Sequence, residues 1–145
     1  MNTYDEFPAE FWQGVEQFNA GAFYDCHDTL EAIWLECYGT EKKFYQGILQ
    51  IAVACYHLSH LNWRGCAILL GEGMSRLSQY PADYAGIEVE ALIDRSAEML
   101  TLVQQAGDSG EVAVHQVAQA YGLVAGSPIP SGIERSLPYI NRVSI

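Results

Sequence analysis

An all-α fold, a compact bundle of five to six helices built on a central antiparallel hairpin, follows from three features of the sequence. Apolar residues recur at i, i+3, i+4 and i+7 along most of the first 121 residues. No segment alternates convincingly with period two, which a half-buried sheet would require. Breakers such as Gly21, Gly39, Pro81 and Gly107 divide the chain into helix-length stretches or pairs of them.

Residues 1–6 read as a frayed start. Pro8 suits the first turn of helix 1, whose face is Phe7, Phe11, Val15 and Phe18, with a stop at Asn19 and Gly21. Helix 2 begins near Ala22 and should turn Phe23, His27, Leu30, Trp34 and Tyr38 inward, leaving Asp25, Asp28, Thr29 and Glu36 in water. Gly39 and Thr40 leave room only for a tight turn, so helix 3 runs back along helix 2. Helix 3, from about Glu41 to His60, is apolar nearly all round and is expected at the bundle centre.

Asn62 is placed to cap helix 4, which continues to Pro81; Gly65, Gly71 and Gly73 within it imply a close helix neighbour. A loop at Pro81–Gly86 precedes helix 5, with Val89, Leu92, Ile93, Leu100 and Val103 inward, and a short helix 6 covers about Glu111–Tyr121. The organisation expected is one helical domain over residues 1–121 and an irregular tail over 122–145, carrying Pro128, Pro130 and Pro138, packed on the bundle or trailing from it.

Half of the 145 residues are hydrophobic and 17% are charged, which excludes a disordered chain. The net charge of −11, with 7 basic against 18 acidic residues, argues against nucleic acid and anionic membrane as partners. The longest uncharged run, Phe44 to Leu61, is broken by Gln46, Gln50, His57 and His60, and reads as a buried helix rather than a span. No signal peptide is visible at the N-terminus, and Cys26, Cys37, Cys55 and Cys66 form no Cys-x-x-Cys pair. Reduced core cysteines and a cytoplasmic location are the expectation.

The unusual choice is a His and a Glu one turn apart, His27 and Glu31, on the face that otherwise buries aromatics. A turn near Thr40 pairs positions whose numbers sum to roughly eighty, setting Glu31 across from Gln50, His27 near Val53 and Ala54, and Trp34 near Gln46. Three readings fit the cluster. It is a closed hydrogen-bond network that fixes the register of the hairpin, with the Trp34 indole donating to Gln46 or a carbonyl. Alternatively His27, Glu31 and His57 hold a divalent metal such as zinc, backed by Gln46 and Gln50. The third is a pocket for a small polar ligand, lined by Tyr24, Trp34 and Tyr45 with His27, Glu31, Gln46 and Gln50.

The run from Phe18 through His27-Asp-Thr-Leu-Glu31-Ala-Ile-Trp34, followed by Phe44-Tyr-Gln-Gly-Ile-Leu-Gln-Ile-Ala, resembles the family catalogued as domain of unknown function 309. The resemblance covers about residues 11 to 77, including Asn62 and Gly65. It implies a compact helical bundle and a motif suggested to bind metal, matched here at His27, Glu31 and Trp34, and it implies no established reaction. The combined expectation is a protein of unknown activity that binds a divalent metal or a small polar ligand at this cluster, with no reaction assigned and a non-enzyme favoured. Two alternatives stand beside it. One is a non-catalytic interaction or scaffold module, working as a homo-oligomer or adaptor, whose cluster is purely structural; the other is a metal-assisted hydrolase.

Overall fold

The computed structural model describes residues 7–124 and 135–143; the expectations for residues 1–6 and for 125–134 and 144–145 of the tail lie outside the described residues. Six helices follow one another: α1 (Ala9–Asn19), α2 (Phe23–Glu36), α3 (Glu41–Ser59), α4 (Trp63–Leu77), α5 (Val89–Ser109) and α6 (Glu111–Ala120). Each packs on the next in the chain. The fold is an all-α bundle, as the periodicity predicts.

Helices α2 and α3 run antiparallel. Close to their turn the Lys42 ammonium sits 4.3 Å from the centre of the Trp34 ring, and at the far end the Tyr24 and Tyr56 rings lie 5.4 Å apart. The Lys42 ammonium also donates to the Trp34 and Cys37 carbonyls, at 3.2 and 3.3 Å, satisfying acceptors left open where α2 ends.

The core gathers on α3, from which Phe44, Ile48, Ile51, Ala54, Cys55 and Leu58 are fully buried. Fully buried side chains of leucine or phenylalanine size contribute about 1.5–3 kcal/mol each by leaving water. At one end Phe7, Phe11, Phe44, Tyr80 and Tyr84 form a cluster of tilted and edge-on rings, tying α1 to α3 and to the segment after α4. Ser96 is the one buried polar residue described; its hydroxyl donates to the Leu92 carbonyl at 2.8 Å, so α5 satisfies it internally.

The inward face of α2 is narrower than the sequence suggests. Phe23, Cys26 and Leu30 are buried, while Tyr38 is 93% exposed. The small Cys26 takes the inward position in the stripe, which rotates His27 and Trp34 to its edge. At Cys37 the backbone turns extended (φ −95°, ψ 137°), so Tyr38 leaves the helical face altogether.

A small strand pair interrupts the helices. Where a loop is expected, β1 (Asp83–Tyr84) and β2 (Ile87–Glu88) form an antiparallel hairpin. Its two turn residues, Ala85 and Gly86, both have positive φ (56° and 77°), as the two-residue turns that suit strand twist demand. The chain over 135–143 returns along this hairpin. The Glu88 N–H donates to the Asn141 carbonyl and the Val143 N–H to the Gly86 carbonyl, each at 2.9 Å. Asn19 on α1 both donates to and accepts from the backbone of Ile140, at 2.9 and 2.8 Å. Among the described residues no helix is long and apolar enough to cross a membrane.

Candidate functional site

His27 and Glu31 meet as their one-turn spacing requires: the His27 Nε2 lies 2.9 Å from a Glu31 carboxylate oxygen. The other ring nitrogen, Nδ1, lies 3.2 Å from Asp28 Oδ1. A ring nitrogen donates only when it carries a hydrogen, so both contacts are donor contacts at once in the imidazolium form. The ring is thus bracketed by two carboxylates on α2.

The pair does not sit inside the helical hairpin. The His27 side chain is 27% exposed and that of Glu31 46% exposed, which overturns the expectation of a buried His/Glu cluster. The reason is the rotation of the α2 stripe: with Phe23, Cys26 and Leu30 filling the seam, the His27 position falls at its rim. Tyr24, also exposed, places its ring 6.1 Å from the imidazole and against Tyr56, which in turn lies 4.5 Å from the His60 ring. Asp28 and Tyr56 therefore join the site. The sequence places Asp28 only on the wet face of α2, while the hairpin register, with numbers summing to roughly eighty, pairs Tyr56 with Tyr24.

The residues expected from α3 are arranged differently. Gln50 faces α4: its amide nitrogen donates to a Glu72 carboxylate oxygen at 3.0 Å and its oxygen accepts from Arg76 at 3.1 Å. It is engaged there rather than bonded to Glu31, because α3 is shared between α2 and α4 and its polar strip opens toward α4. Gln46 is half-buried. His57 closes the turn after α3, with Nδ1 3.3 Å from the Asn62 amide nitrogen, and its carbonyl accepts from the Asn62 N–H at 2.9 Å. The set His27, Glu31 and His57 is not gathered: among the described residues no group of three or more His, Cys, Asp or Glu side chains is disposed to hold a metal ion.

Trp34 is half-buried under the Lys42 ammonium, and its indole nitrogen is buried with no acceptor among the described residues. The expected bond from that N–H to Gln46 or a carbonyl is not formed. Lys42 instead takes the carbonyls at the end of α2, including that of Trp34 itself. Tyr45 is buried in the aromatic cluster beside Phe7 and Phe11, and burial pushes its phenol pKa upward, so it belongs to the core rather than to a pocket with His27.

The four cysteines divide by burial. Cys26, Cys55 and Cys66 are buried between α2, α3 and α4, with the Cys55 sulfur 4.0 Å from that of Met99. Desolvation pushes the thiols of Cys26 and Cys66 up to about 12, and that of Cys55 well above its usual value. They behave as small core residues. Cys26, although next to His27 in sequence, points about 100° away from it around the helix, into the core.

A family model described as "Domain of unknown function (DUF309)" matches residues 11–69, a stretch that takes in almost all of α1, all of α2 and α3, and the first half of α4. No curated protein matches the chain.

Proposed function

We propose, from the premise that residues 11–69 are of this family of unknown function, that the chain is a binding protein whose ligand is a small polar cation. It would be received on the outer face of α2. The observation that carries this reading is the His27–Glu31 contact with Asp28 beside it, open to solvent next to an exposed tyrosine. Two carboxylates one turn apart offer oxygens to an ammonium or guanidinium group without any opening of the core. The rings of Tyr24 and Tyr56 supply flat faces that attract the same charge. The net charge of −11 adds a favourable long-range field for such a ligand.

The test is a titration of the isotope-labelled, tag-free protein with agmatine, a compact molecule bearing both cationic groups, followed by NMR. The reading expects saturable shifts confined to Tyr24, His27, Asp28, Glu31 and Tyr56. Glu31→Gln, which keeps shape and removes charge, should weaken binding about fivefold, the equivalent of about 1 kcal/mol for an exposed charge contact. Shifts spread evenly over the acidic surface, or none, would reject it. Zinc chloride in a parallel titration is the arm for metal: tighter binding that needs both His27 and Glu31 would replace the cation with an ion. Binding of neither, with stability strongly dependent on the pair, would return the cluster to a structural role.

A further inference from the structure

The strongest unassigned feature lies where the start of α4 meets the junction of α5 and α6. A cavity of about 480 Å³ opens there, lined by Leu61, Trp63, Gly107, Gly110, Glu111 and Val114. Its size is within the range that encloses small organic molecules. Three unusual backbone features converge on it. Leu61 holds a left-handed conformation (φ 61°), which a branched side chain adopts at a cost, and still leaves 41% of its surface exposed at the mouth. At Gly107 a Cβ would come within 2.3 Å of the Trp63 ring, so only glycine lets α5 lie flat against the indole. Gly110, the single residue between α5 and α6, takes φ 115° and ψ −179°, a region essentially restricted to glycine.

We infer that this cavity is a binding site for an organic cation with an apolar body, such as an alkyl or aromatic ammonium compound. The walls are an indole, a leucine and a valine, which take the apolar body; the one charged lining residue is Glu111, at the start of α6, and its carboxylate takes the positive head. The indole already attracts a cation within the molecule: the Arg64 guanidinium stands 5.5 Å from the ring centre, outside the lining. An anionic ligand would meet Glu111 directly, in a protein of net charge −11. This site shares no residue with the face of α2, so the two stand or fall separately.

Titration of the full chain with benzyltrimethylammonium, followed at the indole N–H resonance of Trp63 and compared with neutral benzyl alcohol, tests the inference. The ammonium compound should shift that resonance saturably and bind about tenfold more tightly than the alcohol. Glu111→Gln should lower the affinity for the ammonium compound about fivefold and leave that for the alcohol unchanged. Leu61→Gly should keep or raise the melting temperature, since glycine adopts the same backbone freely, while lowering affinity at least threefold through loss of the apolar lip. An unmoved Trp63 resonance, equal affinity for the alcohol, or indifference to Glu111→Gln would each overturn the assignment.

Discussion

Replacing Gly73 with leucine should destabilise the protein by about 3 kcal/mol or more, while Gly71→Ala, two residues away, should stabilise it by up to about 1 kcal/mol. The contrast comes from where the two glycines lie on α4. A Cβ at Gly73 would stand 2.8 Å from the Gly47 carbonyl oxygen and 2.8 Å from Ile51 Cγ1. A Cβ at Gly47 would in turn stand 2.8 Å from Leu77 Cγ and 3.2 Å from the Gly73 carbonyl oxygen. The two helices therefore touch backbone to backbone, and no rotamer change relieves a clash with a carbonyl. Any larger residue at Gly73 must push α4 off α3, and with it Ile51, Leu70 and Leu77 out of close packing. Gly71 has nothing within 4 Å of its missing Cβ, so alanine there gains helix propensity without meeting a neighbour. Urea denaturation of both variants decides the matter; equal effects at the two positions would contradict this packing.

Stability should hold up to about pH 9 and then fall steeply toward pH 12, under reducing conditions. Burial holds the folded-state thiols of Cys26 and Cys66 protonated up to about 12, from a usual value of 9.0, and pushes that of Cys55 well above the usual value. A raised folded-state value favours the native protein fully below the unfolded value, and that advantage is lost as pH climbs through the folded one. Between the two, the unfolded chain releases protons that the native one retains. Each such thiol then removes about 1.4 kcal/mol per pH unit, so three together remove about 4 kcal/mol per unit. Tyr121, raised to about 12, and Tyr80, shifted in the same direction, steepen the fall further. The check is a series of melts from pH 8 to 11, with Cys26, Cys55 and Cys66 replaced by alanine one at a time. The slope should flatten with each replacement; a wild-type curve flat to pH 11 would contradict the burial of these thiols.

The helices were legible because burial follows the 3.6-residue period wherever a helix has one dry side, as in Phe11, Val15 and Phe18 of α1. Gly73 was readable as a point of close approach, whereas Gly71, with the same letter and nearly the same position, was not distinguishable from it. The hairpin at Asp83–Glu88 was hidden by its length: strands of two residues are too short to show alternation, and the segment that pairs with them arrives from residue 141 onward. For the site, spacing alone delivered the His27–Glu31 contact, since one helical turn fixes it. It did not deliver the pair's depth. Moving the buried position from His27 to Cys26 turns the whole polar cluster from the seam to the rim, and periodicity on a fourteen-residue helix does not separate those two choices. Gln50 was likewise drawn away by partners on α4, Glu72 and Arg76, that a two-helix register cannot include.

His27 and Glu31 form an open site which the fold does not need. A double-mutant cycle on His27→Ala and Glu31→Ala, read by urea denaturation at pH 6, measures this directly. Each single change and the coupling between them should stay below about 1 kcal/mol, as for a solvent-exposed pair. A coupling of about 2–3 kcal/mol would contradict the claim and make the pair a structural lock between α2 and its neighbours.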